Sequence, residues 1–379
     1  MANASNSTTR PHTTWDIQKI RNLVELKFGK RPCWFQTQVA TALHEGKDVV
    51  GCAATGAGKS LSFYIKALMS LEDGEDKMMI MASPLKVLAK QNVQAIKKAG
   101  LSAIAVSSRN ANKKTFKNIE AGKYNVVIMS PEILMSKRME AMWSKKAVVS
   151  RLSYFVFDEG HCVSQWSSFR KEYAQLGTLR ALIPKLVPFY VASATLPPSI
   201  FAEVVRLLQL RPAPQTKVIA YSNDRPDIFL TVRGLRYPVK SFRDLDFLIP
   251  KGWKEGDLLP EKFVIFFDNI KEAQSAVHHL RTLLPKGVGR KVIKYFHAVM
   301  SDEYREKAVV DLREGRLWGI CATDAFGMGM DLPDIKLVIQ WKATCDFSTL
   351  WQRFGRTARG RGVTGTALLL VEPKHLDEK

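Results

Sequence analysis

The segment Ala53-Ala54-Thr55-Gly56-Ala57-Gly58-Lys59-Ser60 puts small residues, a lysine and a hydroxyl in an order suited to holding phosphate. Gly56 and Gly58, with Thr55 and Ala57 between and beside them, would let backbone N–H groups approach phosphate oxygens. Lys59 would neutralise the terminal phosphates of a nucleotide, and Ser60 would ligate magnesium at a helix N-terminus. The following Leu61, Tyr64, Ile65 and Leu68 carry the helical pattern that this requires. Ala53 stands where the general phosphate-loop pattern has its first glycine.

Two further clusters suit the same chemistry. The apolar run Tyr154 to Phe157 delivers Asp158-Glu159-Gly160-His161 at its C-terminal end, the edge where open parallel sheets bind ligands. Asp158 would hold the metal, directly or through water, and Glu159 would polarise the water that attacks the γ-phosphate. Near the C-terminus, Gln352-Arg353-Phe354-Gly355-Arg356-Thr357-Ala358-Arg359-Gly360 spaces Arg356 and Arg359 three residues apart. One helical turn would point both the same way, as arginine fingers for charge on a transferring phosphoryl group.

The elements that must position these residues follow from hydrophobic patterning. Short β-branched or aromatic runs alternate with longer amphipathic stretches, which predicts an α/β fold with parallel strands joined by crossover helices. The expected strands are 48–52, 78–82, 125–129, 154–157 and 188–192, then 263–267, 291–296, 317–321, 336–340 and 366–370. Pro212, Pro214 and Pro226 interrupt regular structure between the two sets. The reading is therefore a flexible N-terminal segment (1–14), a first lobe (15–214) and a second lobe (215–379).

The chain has 379 residues, enough for two or three domains, and its 46% hydrophobic content excludes global disorder. Its 57 Lys and Arg against 36 Asp and Glu leave a net charge of +21, which favours a polyanionic partner. No basic tail carries that surplus, so pairs such as Lys97-Lys98, Lys113-Lys114 and Lys145-Lys146 must sit on folded surface. Apolar runs are too short to span a membrane, and the polar N-terminal stretch lacks the apolar core of a secretory signal. The expected compartment is reducing: the nucleus, or else the cytoplasm. Five scattered cysteines, Cys33, Cys52, Cys162, Cys321 and Cys345, form no C-x-x-C pair, so they read as free thiols and no zinc is expected.

Together these stretches resemble the superfamily 2 helicases, and the segment from Asp158 to Tyr173 (DEGHCVSQWSSFRKEY) is similar to the acidic box and aromatic-rich loop of the RecQ family. The resemblance runs from about residue 26 to 362. It implies two tandem RecA-like lobes with a nucleotide cleft between them, ATP and Mg2+ as cofactors, and 3′ to 5′ travel on single-stranded or tailed duplex DNA. It assigns Gln352, Arg356 and Arg359, with Lys59, Asp158 and Glu159, to hydrolysis. By the same resemblance Trp166, Phe169 and Arg170 would meet DNA, through stacking and charge. Ser83-Pro84-Leu85, Ser130-Pro131-Glu132 and Ser193-Ala194-Thr195 resemble strand-gripping and lobe-coupling motifs, so Ser83, Pro84 and Ser130 join the nucleic-acid set. In the second half Phe296-His297-Ala298 and the run Ala322 to Asp331 match closely, with Thr323 on the nucleic acid and Asp331 facing nucleotide; His297 reads as structural.

The run Phe28 to Gln36 resembles an adenine-recognition motif in which an amide reads the base edge. Gln36 is the choice and Gln38 the rival, with Arg31 in place of the arginine expected before the glutamine. Three departures stand out: Gly160 where the family has alanine, Ala358 where it has glycine, and only two residues between Trp166 and Phe169. About twenty residues follow the last motif, too few for the zinc-binding and winged-helix modules typical of RecQ proteins, which reads as a minimal member or an excised core. The competing readings are an RNA helicase or duplex translocase on the same scaffold, a non-enzymatic nucleic-acid clamp, and a phosphate-loop kinase or GTPase, which leaves the second lobe unexplained.

Overall fold

The computed structural model describes residues 14–84, 93–254, 257–326, 332, 334–360 and 362–376. The expected N-terminal segment, apart from Thr14, and Asp331 lie outside the described residues. The chain divides into two compact units after Asn223.

The first unit is a seven-stranded parallel sheet in the order β3-β4-β2-β5-β6-β1-β7. Its strands are β1 (Asp48–Cys52), β2 (Met78–Ala82), β3 (Ala103–Val106), β4 (Val126–Met129), β5 (Leu152–Asp158), β6 (Phe189–Ser193) and β7 (Thr216–Ala220). Parallel strands covered on both faces read as continuous apolar runs, and here β2, β4 and β6 are buried along their whole length. Residues of β5 alternate between two cores: Phe155 and Phe157 pack with Phe189 on one face, Tyr154 and Val156 with Ile65 and Tyr190 on the other. Each such side chain withdrawn from water contributes about 1.5–3 kcal/mol.

Strand β7 corrects the expected boundary near residue 215. It follows Pro212 and Pro214, but it pairs in register with β1, Asp48 beside Thr216 through Cys52 beside Ala220, and so completes the first sheet. Strands β3 and β7 escaped sequence reading because each is four or five residues long with only partial burial.

The second unit is a six-stranded parallel sheet, β10-β11-β9-β12-β13-β8. It comprises β8 (Ile228–Gly234), β9 (Phe263–Phe266), β10 (Ile293–Phe296), β11 (Gly319–Ala322), β12 (Leu337–Trp341) and β13 (Gly365–Val371). Strand β8 is an edge strand with Phe229, Leu230 and Val232 exposed, which explains why no alternation announced it. Among the described residues no helix is long and apolar enough to cross a membrane.

Candidate active site

In the first unit, helix α1 (Ile17–Phe28) ends at Gly29 and helix α2 (Trp34–His44) packs beside β1. Strand β1 then runs into the phosphate-loop segment, and helix α3 (Lys59–Glu72) begins at its end. Gly58 caps α3 with φ 77°, a left-handed conformation that a side chain resists. Gly56 takes φ 88°. Lys59 folds back over the loop, its Nζ donating to the carbonyls of Ala53 at 2.8 Å and Ala54 at 3.1 Å. Gly56, Gly58 and Ser60 are exposed, while Thr55 and Ala57 are half-buried.

Gln36 is buried and touches this loop. Its Oε1 accepts from Cys33 N–H at 2.8 Å, and its Nε2 donates to Gly58 O at 2.8 Å. A primary amide with one donor and one acceptor so engaged keeps a second N–H and a second lone pair for a base edge. Gln38 accepts instead from Lys217 Nζ of β7 at 2.9 Å, so the structure brings Gln36 to the loop and not its rival. Arg31 is exposed.

Strand β5 ends at Asp158, as expected. Burial, and next the adjoining Glu159 carboxylate, push Asp158 up to about 7, against the lowering effect of the Lys59 ammonium. Glu159 adopts φ 52°, its N–H donates to Asp158 Oδ1 at 3.0 Å, and its Oε2 is buried without a hydrogen-bond partner among the described residues. Two adjacent half-buried carboxylates, one with a buried oxygen that lacks a hydrogen-bond partner among the described residues, form a donor set that a divalent cation would relieve, so the residues present fit a magnesium site.

This acidic pair is wired into β6. His161 Nδ1 lies 3.6 Å from Glu159 Oε2 and hydrogen-bonds Ser193 Oγ at 2.9 Å. Ser193 Oγ in turn donates to Thr195 O at 2.9 Å. The hydroxyl of Ser83, at the end of β2, donates to Asp158 Oδ2 at 3.5 Å.

Ser83 also lines a cleft of about 310 Å³ along the C-terminal edges of β2, β3 and β4. Pro84, Ser130, Glu132 and Arg170 share that lining, so four of the expected nucleic-acid residues meet in one place. Arg170 is held there by Glu132 at 2.5 and 2.8 Å, and its guanidinium lies over the rings of Trp166 and Tyr173 at 5.0 and 4.8 Å. Burial acts to raise Glu132, but hydrogen bonds from Ser130 and Arg170 hold it below its ordinary value. Trp166 is half-buried against Tyr173, whereas Phe169 is 67% exposed.

In the second unit one expectation is corrected. The helix Phe347–Phe354 carries Gln352 but stops before the arginines, and Gly355 caps it. Arg356 and Arg359 therefore lie on a loop and not on one helical turn. Ala358 between them adopts φ 53°, the conformation for which glycine is suited. Arg356 is buried, and Arg359 Nε donates to Gly355 O at 3.0 Å. Sequence reading passed over Arg353, which is 2% exposed and bonds Gln340, Asp268 and Asp324. It also passed over Arg225, which reaches carbonyls 130 to 133 residues away. Thr323 follows β11 and its N–H donates to Phe296 O at 3.1 Å; His297 is buried, consistent with a structural histidine.

Two parallel sheets of this kind, the first ending in a phosphate loop and an acidic pair, define a helicase core. Residues 34–204 match the DEAD/DEAH box helicase family, and residues 256–361 match the helicase conserved C-terminal domain. The DNA-bound helicase MrfA superposes with a TM-score of 0.73 at 18% identity, over 96% of this chain and 51% of that one. The ATP-dependent DNA helicase Q-like 2 of Arabidopsis thaliana is 29% identical over 86% of this chain and 44% of its own length. The ATP-dependent DNA helicase RecQ of Haemophilus influenzae is 28% identical over 89% of this chain and 51% of its own. The putative ATP-dependent RNA helicase R290 of Acanthamoeba polyphaga mimivirus is 28% identical over 90% and 58%. The chain carries a DEAD/DEAH box helicase domain and a helicase C-terminal domain and is a RecQ-like superfamily 2 helicase core. It spans about half the length of the curated relatives it matches.

Proposed function

We propose that the chain is an ATP-driven motor that moves 3′ to 5′ on single-stranded DNA and unwinds duplexes. The observation that carries this reading is Ser83, whose hydroxyl reaches Asp158 while its residue lines the cleft with Ser130 and Arg170. A change in how a strand is gripped there is one hydrogen bond from the acid at the hydrolytic centre.

Lys59 and the loop N–H groups bind the terminal phosphates of ATP, and the spare amide capacity of Gln36 reads the adenine edge. A magnesium ion, held by Ser60 and Asp158 when bound, supplies charge neutralisation on the phosphates. Glu159 orients and deprotonates the attacking water, beside His161, whose ring is held by Ser193. Arg356 and Arg359 stabilise charge on the transferring phosphoryl group, and Gln352 serves the same hydrolysis. Trp166 and Phe169 stack on bases, while Arg170, Pro84 and Thr323 complete the backbone grip. Nuclear residence belongs to the same proposal and rests on DNA as the working substrate.

Turnover of ATP measured with and without single-stranded DNA, followed by strand displacement from 3′-tailed and 5′-tailed duplexes, tests this. The expected result is stimulation by DNA and displacement from the 3′ tail; equal turnover with and without DNA would refute it. A second reading, an RNA helicase, is supported by the mimivirus relative, and matched RNA duplexes separate the two. Because a net charge of +21 makes phosphate contact the main source of affinity, binding should weaken steeply with salt on either substrate.

A further inference from the structure

Arg225 stands two residues past Asn223, where the first unit ends. Its guanidinium is oriented by Asp227, with Nε to Oδ1 at 3.0 Å and Nη2 to Oδ2 at 2.7 Å. The same group then grips the arginine loop of its own unit. Nη2 donates to Thr357 O at 3.0 Å and to Ala358 O at 2.9 Å, and Nη1 reaches Gly355 O at 3.5 Å. Those carbonyls bracket Arg356 and adjoin Arg359.

The loop needs holding. Ala358 sits at φ 53°, buried, where an L side chain is strained, and such a conformation persists only when its surroundings over-determine it. Ala358 N–H is fixed to Ile335 O at 2.9 Å from one side, and Arg225 fixes its carbonyl from the other. A planar fork satisfies several acceptors and a carboxylate together, which an ammonium does not.

We propose that Arg225 is a positioning residue for hydrolysis, gripping the carbonyls of Gly355, Thr357 and Ala358 so that the strained loop presents Arg356 and Arg359 to phosphate. The inference rests on the reading that those two arginines act on the nucleotide.

The test compares Arg225→Ala, Arg225→Lys, Asp227→Asn, Arg225→Ala/Ala358→Gly and Arg356→Ala in the full chain. DNA-stimulated kcat and KM for ATP, affinity for a non-hydrolysable ATP analogue and thermal unfolding are measured for each. Arg225→Ala should lower kcat by about 10- to 100-fold, the cost of a misplaced catalytic group. Analogue affinity, set by the Lys59 loop, should stay within about 2-fold. Arg225→Lys should not restore kcat, whereas glycine at 358, which reaches positive φ without strain, should recover part of it in the double variant. A folded Arg225→Ala enzyme with wild-type kcat, a loss confined to KM, or a double variant no faster than the single one would overturn the proposal. If Arg225→Ala fails to fold, Arg225→Lys and Asp227→Asn carry the test, and wild-type kcat in both overturns it. Wild-type turnover by Arg356→Ala refutes the underlying arginine reading instead, whatever Arg225 does.

Discussion

Gly160 and Val191 occupy space that only one side chain can fill. A Cβ built at residue 160 would lie 2.3 Å from Val191 Cγ1, and Gly160 N–H is bonded to Ala192 O at 2.8 Å, so neither partner can retreat freely. The glycine that replaces the family's alanine beside the acidic pair is thus matched by a β-branched residue on β6. Gly160→Ala should destabilise the fold by about 1–3 kcal/mol through overpacking. Adding Val191→Ala should offset part of that loss, a coupling of at least about 0.5 kcal/mol read from denaturant unfolding of the four proteins. Strictly additive losses would show that the two sites do not meet.

Hydrolysis should depend on Lys59 and Glu159 in different ways. Lys59→Ala should abolish both analogue binding and DNA-stimulated turnover, since the ammonium is the loop's only side-chain cation. Glu159→Gln should lower kcat by about 100-fold or more while leaving analogue binding in place, because it removes a base and not a phosphate contact. Wild-type turnover in either variant would refute the assignment.

Base recognition should separate the two glutamines. Gln36→Ala removes the amide bonded to Gly58 and should raise KM for ATP by about 10-fold and relax discrimination against GTP. Gln38→Ala loses the contact with Lys217 and should leave KM unchanged. Steady-state kinetics with both nucleotides distinguishes these outcomes.

Acid should attack the first unit at Asp48, whose fully buried carboxylate receives Arg180 at 2.6 Å and Arg211 at 2.9 Å. Burial alone would raise its pKa, but hydrogen bonds from Arg211, Arg180 and Phe189 N–H hold it below the ordinary carboxylate value. A depressed folded-state pKa contributes stability above the unfolded value, near 4, and loses it as pH falls through the folded one. Asp48→Asn should therefore cost about 3 kcal/mol at pH 7, with the difference from wild type shrinking below about pH 4. Thermal unfolding from pH 3 to 8 checks this, and a pH-independent difference would exclude ionisation as the cause.

What the sequence determined by itself was everything that is local along the chain. The phosphate loop needs its glycines, lysine and hydroxyl within eight consecutive residues, and Asp158-Glu159 needs only to follow a buried strand, so both were legible along with most central strands of either sheet. Runs such as 154–157 announced themselves because a strand covered on both faces must be apolar throughout. The edge strands β7 and β8, half-wetted, carry no such signature. Tertiary structure decided which glutamine touches Gly58, that Val191 leaves no room at 160, that Arg356 and Arg359 sit beyond a helix end, and that Arg225 grips the carbonyls of Gly355, Thr357 and Ala358 from 130 or more residues away. Those outcomes depend on sheet order and on which carbonyls remain for a side chain to satisfy, and neither is written in the spacing of residues along the chain.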